Sequence, residues 1–135
     1  MKAIYIAGMI ILLAMPLQES FGQSTIVQRD ITWYSDQNVE LHSSTTINAT
    51  CAIITHNNST IDLNWDGVTT FTIQSIDGSW TDPTQDGTLT YHVQYQAKNG
   101  SVAIQRLQGA ITVIIDLTLD FPDGMKEQFM INRFE

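Results

Sequence analysis

The feature that most constrains this chain is the alternation of apolar and polar residues that recurs through most of its length. The longest example runs from Ile111 to Phe121, where apolar residues occupy every second position and threonine or aspartate most of the others. A period of two places successive side chains on opposite faces of a strand, so that one face is buried and the other is wet. The pattern therefore predicts half-buried β-strands, and no segment carries a sustained apolar pattern at helical spacing.

Turn-forming residues divide the alternating segments from one another. They lie at Ser35–Asn38, His56–Ser59, Asp66–Gly67, Lys98–Gly100 and Pro122–Gly124. Each group can supply the positive or restricted φ that a tight turn needs. Because the turns recur at intervals of about ten residues, the chain is predicted to form an antiparallel meander. The predicted strands lie near residues 25–34, 38–47, 49–56, 60–66, 68–76, 87–97, 101–108, 110–121 and 125–134.

Eight or nine consecutive strands can remove their exposed edges in two ways. The sheet can close on itself as a small up-and-down barrel, or it can divide into the two layers of a β-sandwich. A sandwich needs a long connection between its sheets, and only residues 77–87 and the region near residues 35–48 offer one. We therefore predict an all-β up-and-down barrel, with a two-sheet sandwich as the alternative.

The first residues have the order of a secretory signal: Lys2, an uncharged apolar run from Ala3 to Met15, then a polar stretch that contains Ser20 and Gly22. We predict a signal peptide over residues 1–22, cleaved after Gly22, and a single all-β domain over residues 23–135. The mature protein would be secreted or periplasmic. The apolar run is shorter than the roughly 20 residues of a spanning helix, so no stable membrane anchor is expected in the mature form.

Charge and cysteine content narrow the classes of partner. The formal net charge of −8 argues against nucleic acid, because phosphate backbones attract basic surfaces. The single cysteine, Cys51, cannot form an internal disulfide and lies in an apolar run that is typical of a core strand. Burial of Cys51 is therefore expected.

Three residues are candidates for ligand binding. Arg29 and Arg106 continue rows that are otherwise apolar, and an arginine that faces a barrel interior can hold an acidic group with its planar fork. Trp80 lies in the long loop, where an exposed indole would be a binding surface and a packed one would be a lid over the end of the sheet. The alternative for the arginines is that they lie near strand ends and reach into water.

Metal sites and catalytic motifs are poorly supported. Asp77, Asp82 and Asp86 share the long loop and offer the oxygen ligands that calcium prefers, but their spacing follows no known calcium loop and turn formation explains them equally well. The three histidines are scattered, and Cys51 has no evident base. We predict a non-enzymatic module without cofactor that binds a small apolar or amphipathic ligand, or alternatively a surface protein that docks another exported protein.

Overall fold

The structure is a computed structural model and describes residues 26–135. The predicted signal peptide and its cleavage point lie outside the described residues. Within residues 26–135, no helix has the length and apolar character needed to cross a membrane.

The described chain forms nine β-strands, all of them antiparallel to their neighbours. Short turns join most of them, and the longest connections are residues 78–86 and 117–125. The strands are β1 (Ile31–Glu40), β2 (Thr45–Ile47), β3 (Cys51–His56), β4 (Thr60–Asn64), β5 (Val68–Asp77), β6 (Gly87–Tyr95), β7 (Lys98–Leu107), β8 (Ala110–Asp116) and β9 (Lys126–Phe134).

The sheet is a closed barrel, which confirms the predicted architecture over the sandwich. Strands β3 to β9 pair in chain order, and β1 pairs with both β3 and β9 to close eight strands into a ring. The extra strand, β2, lies on the same edge of β1 as β3, because Asn38 pairs with Ile47 and Ser35 with Cys51 while β9 occupies the opposite edge. Closure leaves no long edge open to aggregation.

The predicted turn at Ser35–Asn38 is wrong, because β1 runs straight through these residues. The register between β1 and β9 shifts on either side of Ser35, which marks a β-bulge. The backbone N–H of Gln37 donates to the hydroxyl of Ser35 over 3.3 Å, and this contact stabilises the local distortion. Residues that favour turns also suit a bulge, so the sequence pattern does not separate the two.

The turn between β6 and β7 lies slightly earlier in the chain than predicted. Gln96 and Ala97 carry the positive φ values of 50° and 63°, whereas Lys98, Asn99 and Gly100 already belong to β7. Gly100 serves a different purpose: a Cβ there would lie 2.7 Å from the backbone oxygen of Asp116. This glycine therefore permits β7 to approach the end of β8 closely.

The inner face of the barrel is filled by side chains. Large residues from opposite sides of the ring are fully buried, among them Trp33, Phe71, Tyr91 and Phe129. An eight-stranded barrel is just wide enough for side chains to fill it. The predicted burial of Cys51 is confirmed, and burial raises the pKa of its thiol.

The strand that carries the clearest alternation ends earlier than predicted. Strand β8 stops at Asp116, whose carboxylate accepts a hydrogen bond from the backbone N–H of Thr118 over 2.9 Å. This side-chain contact turns the chain out of the sheet. Leu119 and Phe121, which continue the apolar row in sequence, are instead 76% and 45% exposed. They belong to a loop at the barrel end.

Candidate functional site

The two ends of the barrel are built differently. The plugged end is formed by residues 26–30, 57–59, 78–86 and 108–109. The open end is formed by residues 41–44, 65–67, 96–97 and 117–125. We call residues 78–86 the plug loop and residues 117–125 the mouth loop.

Trp80 closes the plugged end from inside. It is only 5% exposed, stacks on Trp33 with 5.9 Å between the ring centroids, and donates its indole N–H to the backbone oxygen of Gln85 over 2.8 Å. Gly87 leaves room for the ring, since a Cβ there would lie 2.0 Å from Trp80 Cδ1. Ile26 is fully buried in the same core. Of the two roles considered for Trp80, the structure shows the packed lid.

The arginine candidates lie at or near this plugged end. Arg106 is half-buried, donates from Nη1 to the backbone oxygen of Pro83 over 2.9 Å, and lies 3.8 Å from a carboxylate oxygen of Asp86. It therefore positions the plug loop. Arg29 is exposed and precedes β1, so it does not lie on an inner strand row as the sequence pattern predicts.

A depression of about 300 Å³ at this end is bordered by Arg106 and by Arg133 from β9. The guanidinium of Arg133 already lies 3.6 Å from the ring centroid of Tyr34 and 3.8 Å from a carboxylate oxygen of Glu135. Both guanidinium groups are thus engaged within the protein, which makes this depression a poor candidate for the main site.

The three aspartates considered for calcium each serve a different neighbour. Asp77 is 2.6 Å from His92 Nε2, Asp82 accepts from the backbone N–H of Thr84, and Asp86 accepts from the backbone N–H groups of residues 108 and 109. The hydrogen bonds from Thr84 lower the pKa of Asp82. Across residues 26–135, no three histidine, cysteine, aspartate or glutamate side chains are placed to hold one metal ion.

His56 forms a polar clamp near the plugged end. Its Nδ1 lies 3.1 Å from a carboxylate oxygen of Asp30, and its Nε2 lies 2.9 Å from one of Asp62. The hydrogen bond to Asp30 is the main cause that raises the pKa of His56. Both ring nitrogens are occupied, so the group ties the segment before β1 to the β3–β4 hairpin and offers no free ligand position.

The open end contains a pocket of about 320 Å³. None of the three residues predicted to bind a ligand lines it. The side chains that give it an apolar wall come from separate parts of the chain: Phe71, Tyr95, Leu117, Phe121 and Met125, with the ammonium of Lys98 beside them. The rings of Phe71 and Tyr95 pack against each other with centroids 5.5 Å apart. The pocket therefore has a mainly apolar wall with few charged groups.

The mouth loop forms one side of this pocket and is held by polar contacts at several points. The carboxylate of Asp120 accepts from the backbone N–H of Asn99 over 2.9 Å, which ties the loop to the start of β7. His42 Nε2 lies 2.9 Å from the backbone oxygen of Gly124, which ties it to the β1–β2 turn. Within the loop, the N–H of Gly124 donates to the oxygen of Phe121 over 2.8 Å. The loop is thus ordered without burying its largest side chains.

Lys98 occupies an unusual electrostatic position at the pocket. Its ammonium lies 4.0 Å from the centroid of the Phe121 ring, a cation–π contact. Among the described residues it forms no ion pair, whereas Lys126, at the same end, lies 3.9 Å from a carboxylate oxygen of Asp116. Asp123 also borders the pocket. The positive charge of Lys98 is therefore available beside an apolar surface.

Several polar side chains are buried inside the barrel. Asn38 donates from its amide nitrogen to Glu127 over 2.7 Å, and burial raises the pKa of Glu127. The amide oxygen of Asn38 and the hydroxyl of Tyr91 have no hydrogen-bond partner in the part of the chain that the structure describes. Burial raises the pKa of Tyr91 to about 12. These groups make the barrel interior more polar than the alternation in sequence indicates.

No family model matches this chain, and no curated protein matches it either.

Proposed function

We propose that this protein is an exported, non-enzymatic binding module that holds a small apolar or amphipathic ligand in the pocket at the open end. The observation that carries the proposal is the apolar wall around a space of about 320 Å³. This volume lies at the lower end of the roughly 300–1,000 Å³ that small-molecule sites occupy.

Because side chains fill the barrel interior, a ligand can bind only where space remains. Trp33, Tyr91 and Phe129 occupy the centre, so a ligand has space at the mouth and not along the barrel axis. The mouth loop supports this position because Phe121 lies partly exposed over the pocket. Exposed apolar side chains grouped around a depression are typical of binding surfaces.

The chemistry of the lining favours binding over catalysis. Its polar side chains are Thr69, Tyr95, Gln96, Lys98 and Asp123, and among the described residues the lining includes no histidine, cysteine or glutamate. Glu127 and His56, whose pKa values are raised, are engaged with Asn38 and with two aspartates instead. Catalysis needs a reactive group and a second polar group within reach of the same space.

A second candidate function is the docking of another exported protein on the rim of the open end. It is favoured by the exposure of large apolar residues there, since Val68 and Leu119 are 69% and 76% exposed. The two proposals differ in where the binding energy arises: the pocket wall for a small ligand, and the outer rim for a protein.

The proposal is tested with a neutral, apolar fluorescent probe such as N-phenyl-1-naphthylamine, titrated into the purified protein. We expect binding that Thr69→Trp weakens by about tenfold or more, because the indole would fill the pocket. The matched control is Leu107→Trp, which adds the same side chain at an exposed position of the opposite end and should leave binding unchanged. Equal binding by both variants would contradict the proposed site, and binding lost only when Leu119 is replaced would favour the rim.

A further inference from the structure

We infer that the ligand of the open-end pocket is an amphipathic molecule with one negative charge, an aliphatic monocarboxylate, whose head group pairs with Lys98. This inference rests on the proposed function and adds the chemical class of the ligand. Its carrying observation is a lysine whose charge faces an aromatic ring instead of a carboxylate.

The surroundings of Lys98 differ from those of Arg106, Lys126 and Arg133, whereas Arg29, exposed near the opposite end, likewise forms no ion pair within residues 26–135. The chain has 14 acidic and six basic residues, so carboxylates outnumber cationic side chains. Arg106, Lys126 and Arg133 lie 3.8, 3.9 and 3.8 Å from carboxylate oxygens. Lys98 forms no such pair within residues 26–135, and its ammonium lies 4.0 Å from the Phe121 ring centroid. The contact with the ring does not itself neutralise this charge, and the other charged side chain in the pocket lining is Asp123.

A carboxylate can replace the ring as the partner of this ammonium. A hydrogen bond between two charged groups is shorter and stronger than one between neutral groups, and the flexible four-carbon stem of lysine lets the ammonium move to meet it. The aliphatic tail would then lie against Tyr95, Leu117 and Met125, with its apolar surface removed from water. Head and tail thus have separate, adjoining partners.

The remaining charges limit the ligand to a single negative charge. Asp123 borders the same pocket and would repel a second anionic group. The net charge of −8 adds a general repulsion of anions, so Lys98 compensates one charge and not two. A phosphate monoester, which carries about two charges at neutral pH, fits this balance less well than a carboxylate.

The test compares three ligands that share one chain length: octanoate, 1-octanol and octylamine, each titrated by calorimetry at neutral pH and low ionic strength. We expect octanoate to bind about tenfold more tightly than 1-octanol, and octylamine to bind most weakly. Lys98→Met should lower octanoate affinity to that of 1-octanol or below it, because Asp123 and the net charge then repel the carboxylate without compensation, and should leave the 1-octanol value unchanged. The preference for octanoate should also shrink as salt is added.

The matched control is Lys126→Met, which removes a lysine from the same end but not from the pocket. It should keep the preference for octanoate, because Lys126 does not line the pocket. The control therefore separates the effect of general charge from that of the pocket. Equal binding of octanoate and 1-octanol by the unmodified protein would overturn the inference while the proposed function stands. Tightest binding of octylamine would overturn it in favour of Asp123. If none of the three binds and the neutral probe also fails, the proposed function itself is refuted.

Discussion

The two ends of this barrel use large apolar side chains for opposite purposes. At the plugged end, Trp80 points inward and is almost fully buried against Trp33. At the open end, Leu119 points outward and Phe121 is partly exposed over the pocket. Both loops are held by polar contacts to neighbouring segments, so the two ends do not differ in whether their loops are fixed in place. The difference teaches that apolar burial stabilises one end, whereas the other end leaves large apolar side chains exposed to solvent.

The largest expected effect is on stability at the plugged end. Trp80→Ala should lower the free energy of unfolding by about 3–5 kcal/mol, because it removes a buried aromatic ring and leaves a cavity. Phe121→Ala, at the open end, should cost less than about 1 kcal/mol, because the ring is already partly in water. Urea unfolding followed by circular dichroism measures both. Similar losses in the two variants would mean that the ends do not differ as described.

A smaller effect is expected from Glu127, which is buried inside the barrel. Its pKa is raised, mainly by burial, so the folded state favours the protonated carboxyl. Stability should therefore fall as the pH rises from the ordinary value of 4.5 through the raised value. Glu127→Gln keeps the size and the contact with Asn38 but cannot ionise, and should abolish this decline in urea midpoints measured against pH.

Glu40, whose negative charge also contributes to the raised pKa of Glu127, should show the opposite pH dependence. Hydrogen bonding from Ser43 is the main cause that lowers the pKa of Glu40. The ionised Glu40 therefore stabilises the folded protein above the ordinary pKa of 4.5, and this stabilisation is lost as the pH falls through the lowered pKa. Glu40→Gln should remove an increase of the urea midpoint with rising pH, which is opposite in sign to the decline attributed to Glu127. If the urea midpoint of Glu127→Gln still falls as the pH rises, burial of the Glu127 carboxyl is not the cause of that fall.

The smallest effect is expected from the His56 clamp near the plugged end. The pKa of His56 is raised, chiefly by the hydrogen bond to Asp30, so its stabilising contribution is complete below the ordinary value of 6.5 and is lost as the pH rises through the raised value. In His56→Gln, the urea midpoint should no longer change with pH between the ordinary and the raised pKa of His56. Asp30→Asn should narrow this pH range, because it removes the main cause of the raised pKa. An unchanged slope in both variants would show that the clamp adds no measurable stability, as exposed ion pairs often do not.

The sequence supports prediction of the barrel but not of its mouth, and the reasons are physical. Alternation identifies residues that face a core, and the meander follows from regularly spaced turns. The same alternation cannot show where a strand leaves its sheet, so Leu119 and Phe121 are assigned to a strand when they belong to a loop. The bulge at Ser35 is missed for a related reason, because its residues also favour turns.

The pocket itself is invisible in sequence because distant segments build it. Phe71, Lys98 and Met125 lie on three different strands or connections and meet only once the sheet has closed. One signal does point to the mouth loop: two apolar residues, Leu119 and Phe121, alternate with polar ones immediately before Pro122 and Gly124. Apolar residues beside strong turn formers are placed in a loop as readily as in a strand.

The pairing of β1 with β9 has a consequence for the order in which this chain can fold. Tyr34 and Glu135 are hydrogen-bonded although 101 positions separate them, and β9 contributes the last side chains of the inner face. Contacts between residues so far apart in sequence form late, because closing a long loop costs chain entropy before any contact repays it. Until β9 has been synthesised and delivered, β1 and β8 each present an unpaired edge. We therefore expect the newly made chain to stay open and prone to aggregation until its final strand has been synthesised.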